Sequence, residues 1–125
     1  MKTALSKLPK KKKPQITRIE TFGVQGIPDV MLCDNDGNFH FVELKTTPDE
    51  NIRLSPLQVS WLTRHQAGSV WLMVKLLARK DRTESIHLYH ADRVMSAAER
   101  GTRATPTHCF SHPYDWAKIL SCVLG

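Results

Sequence analysis

The chain has 125 residues, 41% of them hydrophobic and 24% charged, with a net charge of +6 and a pI near 9.5. Those figures fit one globular domain with a single packed core. No apolar run approaches the ~20 residues of a membrane span, and no apolar stretch follows the basic N-terminus, which excludes a membrane helix and a secretory signal.

The basic balance favours a polyanionic partner, of which nucleic acid is the commonest, although solvated lysines give the same composition. Cys33, Cys109 and Cys122 are odd in number and irregularly spaced, so reduced thiols and a cytoplasmic setting are expected (the host cytoplasm for a viral chain).

Residues 1–14 read as a flexible basic arm: Lys10, Lys11, Lys12 and Lys13 stand between Pro9 and Pro14, where prolines and like-charge repulsion oppose a regular element. The run fits a solvated tail, a phosphate-contacting arm or a nuclear-import signal. Residues 15–125 form the expected domain. Gln15 to Phe22 alternates as a first strand ending at Gly23. Asp29 to Asp34 and Asn38 to Lys45 read as the two arms of a hairpin around Asn35, Asp36 and Gly37.

The register of that hairpin decides which side chains meet. A two-residue loop at Asp36 and Gly37 sets Asp29 opposite Leu44, on the wrong face. A three-residue loop with Gly37 left-handed sets Asp29 opposite Glu43, with Phe39, Phe41 and Lys45 on the same face. The longer loop is expected, since it alone unites the two carboxylates.

Thr46 to Leu54 reads as a loop. Ser55 then opens a helix: it is an N-cap, Pro56 holds the first position, Gln58 completes a capping box, and Gly68 ends the element. Leu57, Trp61 and Leu62 form its expected apolar stripe, with Arg64 and His65 in the last turn. Val70 to Leu77 is apolar enough for a strand covered on both faces, and Glu84 to His90 alternates with Ile86 and Leu88 inward. Asp92 is the expected cap of a short helix stopped by Gly101. Thr102 to Pro113 reads as loop, and Asp115 caps a final helix with Trp116, Ile119, Leu120 and Val123 on one face. His108, Cys109, His112 and Cys122 match no common zinc spacing, which leaves them loop and helix residues.

Two carboxylates sharing one sheet face repel each other, and a hard divalent cation relieves that conflict. Asp29, Glu43 and the Leu44 carbonyl are the candidate ligands of Mg²⁺. Such an ion activates water and neutralises charge on a reacting phosphate, and Lys45 on the same face orients the water or stabilises that charge. A solvent-facing Asp/Glu/Lys cluster explains the same pattern without chemistry.

Pro28-Asp29 followed by Glu43-Leu44-Lys45 resembles the signature of the PD-(D/E)XK nuclease superfamily. The ordered blocks Gly26-Ile27-Pro28-Asp29, Phe41-Val42-Glu43-Leu44-Lys45 and Leu54-Ser55-Pro56-Leu57-Gln58, with Trp61-Leu62, Gly68 and an apolar strand, resemble the VRR-NUC domain, particularly its small stand-alone phage and bacterial members. The likeness spans about Glu20 to Leu76. It implies an α/β fold, a mixed sheet flanked by helices, and divalent-metal-dependent cleavage of DNA by a homodimer similar to Holliday-junction resolvases.

Carried over by position, Asp29 and Glu43 become metal ligands, Lys45 the catalytic lysine, and Gln58 a residue lining the site; a capping-box role alone explains Gln58 equally well, and both hold together if the helix N-terminus faces the phosphate. The family opens with a longer helix that brings a further carboxylate. Here a short basic arm stands in its place, and Glu20 is the candidate counterpart, with an exposed strand residue as the alternative.

The expected function is therefore a Mg²⁺- or Mn²⁺-dependent endonuclease acting on branched DNA. It would hold backbone phosphates through Arg53, Arg64, Lys75 and Lys10 to Lys13, and cut four-way junctions as a two-fold dimer. The rivals are a flap, nicking or general nuclease, and a non-catalytic DNA-binding module on the same fold.

Overall fold

The computed structural model describes residues 14–19 and 26–125. The expectations for Lys10, Lys11, Lys12, Lys13 and Glu20 lie outside the described residues. Pro14, assigned to the arm, is buried.

The described chain folds as an α/β domain around one six-stranded mixed sheet, whose spatial order follows the sequence. Its strands are β1 (Gln15–Arg18), β2 (Val30–Cys33), β3 (Phe39–Thr47), β4 (Val70–Leu76), β5 (Ser85–His90) and β6 (His108–Ser111). All neighbours pair antiparallel except β3 and β4, which run parallel. A parallel pair needs a crossover, and α1 (Pro56–Arg64) supplies it. Helix α2 (Val94–Arg100) follows β5, and α3 (Trp116–Leu124) closes the described chain.

The hairpin turns as the three-residue loop requires. Asp34 N–H donates to the Asn38 carbonyl at 3.0 Å, Gly37 N–H donates to Asp34 at 3.1 Å, and Gly37 has φ +81°. Val30 consequently pairs with Val42.

Alternation along the central strands divides the core in two. Val30, Leu32, Val42, Met73 and Leu88 point to one face, where Ile119, Leu120 and Val123 of α3 cover them. Leu72, Val74 and Tyr89 point to the other, under Leu62 of α1 and Val94 and Ala97 of α2. Burying Leu62 alone contributes roughly 2 kcal/mol.

Helix α1 begins as its sequence dictates. Ser55 Oγ accepts from Gln58 N–H at 3.1 Å, and Gln58 Oε1 accepts from Ser55 N–H at 3.0 Å, a complete capping box.

Several local expectations need correction. Thr46 and Thr47 continue β3 rather than opening a loop, because they pair with Lys75 and Leu76 of β4. Leu57 is 51% exposed, whereas Leu62 is buried as expected, with Val59, Trp61, Ile52 and Leu54 around it. Asp92 does not cap the helical segment after β5: the His90 ring accepts from Asp92 N–H, opening a 3-10 turn (Ala91–Arg93) that leads into α2. The stretch expected as loop after Thr102 contains β6, an edge strand whose largely exposed residues carry no clear alternation of polarity. No helix among the described residues is long and apolar enough to cross a membrane.

Candidate functional site

The β2–β3 hairpin opens toward the N-terminal turn of α1, and a cluster of polar side chains gathers at that mouth. Ladder hydrogen bonds recur at every second pair, and Asp34 with Asn38 is one such pair. Continuing the count past Val30 and Val42 sets Pro28 opposite Leu44. Proline has no N–H, so it cannot give a ladder bond to the Leu44 carbonyl. The Leu44 N–H, for its part, donates to Asp29 Oδ2 at 3.0 Å. At this point backbone pairing gives way to a carboxylate bound against the strand.

Glu43 lies beside it at 2% exposure. Its Oε2 accepts from Gln58 Nε2 at 3.1 Å and stands 3.8 Å from Lys45 Nζ. Its Oε1 is buried and, among the described residues, meets no donor in hydrogen-bond geometry, although the Asp29 side chain and N–H lie close enough to the carboxyl to affect its protonation. Burial, followed by the negative charge of Asp29, pushes the Glu43 carboxyl up to about 7, while Lys45 pulls the other way. Gln58 uses both ends of its amide: Oε1 closes the expected capping box, and Nε2 donates to Glu43.

The close fit of hairpin mouth and helix depends on Gly26. Its φ is +91°, and a Cβ there would stand 2.4 Å from the Leu57 carbonyl oxygen and 3.2 Å from Gln58 N. Only glycine permits both that backbone conformation and that approach. The Gly26 and Ser55-to-Gln58 blocks are thus two sides of one backbone contact.

A buried carboxylate oxygen without a partner is costly unless something positive or a proton meets it. Asp29, Glu43 and the Leu44 carbonyl offer only oxygen donors, a set that suits a hard divalent cation. Among the described residues, no group of three or more His, Cys, Asp or Glu side chains is placed to hold a metal ion. The two carboxylates would leave the remaining positions to the Leu44 carbonyl, water or a substrate oxygen.

The anticipated phosphate contacts are dispersed. Arg53 is exposed and bound to Asp49 at 2.8 Å. Lys75 projects from the α3-covered face, away from the carboxylates, and its Nζ lies 3.5 Å from Glu84. Arg64 sits at the far end of α1, on the same sheet face as Glu43 but beside Phe41 and Trp61.

Sequence reasoning missed a second polar cluster at the turn end of the hairpin. His40 is buried; its Nε2–H donates to Asp34 Oδ2 at 2.9 Å, and its Nδ1 meets Ser69 Oγ at 2.6 Å. Ser69 Oγ also donates to the Val123 carbonyl at 3.2 Å and accepts from Trp71 Nε1 at 3.1 Å, tying hairpin, β4 and α3 together. The 2-position alternation of the hairpin pointed His40 inward; its partner across the fold left no local signal.

Compared with family models and with curated proteins, the chain matches none of them.

Proposed function

We propose that this chain is a divalent-metal-dependent endonuclease of branched DNA, built on a PD-(D/E)XK-like core of the VRR-NUC type and working as a homodimer on four-way junctions. The observation that carries the reading is the buried Glu43: its Oε1 meets no donor among the described residues, Asp29 is its neighbour, and Lys45 and Gln58 stand at its other oxygen. Two carboxyls held this close need a proton or a cation between them, and the cation is the reading proposed here. The antiparallel hairpin, the parallel β3–β4 pair and the crossover helix that brings Gln58 to the site also support it.

Asp29, Glu43 and the Leu44 carbonyl would hold Mg²⁺, with Mn²⁺ as a substitute. When bound, the ion would supply Lewis acidity at the phosphate and lower the pKa of a water. Asp29 is positioned by the Leu44 N–H, and Gln58 fixes the Glu43 rotamer from the helix cap. Lys45, whose ammonium is part-exposed beside Glu43, would donate to the attacking water or to a non-bridging phosphate oxygen as charge develops there.

The test incubates the protein with a four-way junction, a flap and a linear duplex, each in Mg²⁺ and in EDTA. Paired symmetric cuts in the junction, dependent on Mg²⁺, are the expected result. Preferential flap cutting replaces the resolvase by a flap nuclease. Binding without cutting of any substrate reduces the protein to a DNA-binding module and ends the enzymatic reading.

A further inference from the structure

On the carboxylate-bearing face of the sheet, a second feature has no role in the site just described. Phe39 is 55% exposed, although it stands on the same strand face as Phe41 and Glu43. It borders a groove of about 560 Å³ together with Phe41, Trp61, Arg64 and His65. The aromatic rings are already ordered. Trp61 and His65 stack with centroids 3.9 Å apart, and Phe41 meets Trp61 at 5.6 Å. The His65 Nδ1–H donates to the Trp61 carbonyl at 2.6 Å, which fixes that ring at the end of α1.

Among the described residues no acidic side chain lines this groove, whereas Arg64 stands on its rim. Exposed π-faces next to a guanidinium suit a ligand that is flat and aromatic on one side and anionic on the other. An unpaired nucleotide has that chemistry, because every base offers a stacking face and every phosphate a negative charge. Phe39 precedes Glu43 by about 13 Å along the strand, roughly four steps of duplex rise, so one DNA strand reaches both places.

We propose that the Phe39–Phe41–Trp61–His65 groove, with Arg64 at its rim, is a shelf for an unpaired DNA base a few nucleotides from the phosphate that would be cut at the Asp29–Glu43 site. This rests on the nuclease reading and deepens it: the preferred substrate carries a splayed base beside the cut. The base stacks against Phe39 and the Trp61–His65 pair, and Arg64 contacts its phosphate.

The experiment uses DNA binding in EDTA, where no cutting occurs. The probe is 2-aminopurine placed either in a short single-stranded flap or, paired, in a blunt duplex. The parent protein is expected to quench the flap probe more strongly than the paired one. Replacing the exposed Phe39, Phe39→Ala, should lower the flap-to-duplex affinity ratio about 5- to 100-fold, the range expected for one stacked base. Phe39→Leu, which keeps an apolar side chain but no ring, should lose the preference too, and Phe39→Trp should restore it.

An unchanged ratio in Phe39→Ala overturns the shelf. So does a preference retained by Phe39→Leu, which indicates apolar burial rather than stacking. A change in sedimentation mass with flap affinity intact assigns the groove to a contact between copies of the chain. If the parent cuts junctions but Phe39→Ala keeps its ratio, only the shelf falls; if the parent binds none of these DNAs, the nuclease reading falls with it.

Discussion

The two ends of one hairpin treat their carboxylates in opposite ways. At the turn, Asp34 Oδ1 accepts from Asp36 N–H and Asn38 N–H at 2.9 Å each, and Oδ2 accepts from His40. These bonds, the His40 contact foremost, hold its carboxyl below the usual range. At the mouth, Glu43 is desolvated beside Asp29, one of its oxygens meets no donor among the described residues, and its carboxyl is pushed up to about 7. A carboxylate whose lone pairs are answered by N–H groups completes a fold. One that is buried beside a rival charge leaves a place that a proton or a cation would fill. That contrast distinguishes the two ends of the hairpin more sharply than burial does.

The sharpest way to break the comparison is to disable the mouth. Asp29→Asn or Lys45→Ala should slow Mg²⁺-dependent junction cutting by about 100-fold or more, measured under single-turnover conditions with binding followed in parallel. Cutting by Lys45→Ala at the parent rate removes that residue from the chemistry.

The next effect is one of pH. The folded carboxyl of Glu43 lies near 7, above its ordinary 4.5, so the unfolded chain releases this proton first. Metal-free stability is then untouched by this group below about pH 4.5. It falls as pH rises from there to about 7, by about 3 kcal/mol in total. Urea unfolding between pH 4.5 and 8 should show that loss in the parent and not in Glu43→Gln, and Mg²⁺ should recover it at pH 8. Asp34 has the opposite sign: its contribution is present at neutral pH and is lost only as pH falls below about 3.8. A flat profile in the parent between pH 4.5 and 7 contradicts the strained mouth.

His40→Ala should then cost about 2 kcal/mol by removing a buried bridge, read as a lower urea midpoint. It should leave the junction-cutting rate of the folded fraction unaltered, since His40 lies at the opposite end of the hairpin from Asp29 and Glu43. The smallest effect sharpens the role of Gln58. Gln58→Ala should cost about 1 kcal/mol through the lost cap, whereas Gln58→Glu keeps a capping-box acceptor and deletes the donor to Glu43. Slower cutting in Gln58→Glu assigns the Nε2 contact to function; parent-like cutting leaves Gln58 a cap alone.

How much of this was legible in the sequence varied with how local the cause was. The three-residue turn followed from Gly37, and the start of α1 from Ser55, Pro56 and Gln58, since each rests on contacts within a few residues. Reading the register from that turn also put Asp29 and Glu43 on one face. By contrast, β6 exists because β5 offers it an edge, and its residues His108 to Ser111 carry little pattern of their own. The length of β3 was underread for a related reason: Thr46 and Thr47 are strand because β4 lies beside them. The clasp of Asp34, His40 and Ser69 joins residues 29 positions apart, which no window of sequence spans. Hydrophobicity alone points Leu57 inward, yet the turn of α1 gives that direction to Gln58.

The contact at Gly26 has one more consequence. Because main chain touches main chain there, the separation between the hairpin mouth and the first turn of α1 is set by atoms that every amino acid shares. Side-chain exchange nearby can alter what the cleft holds, but its width is gauged by a hydrogen atom. Widening that gap takes a methyl group at position 26, which would lift Gln58 away from Glu43 without touching either of them.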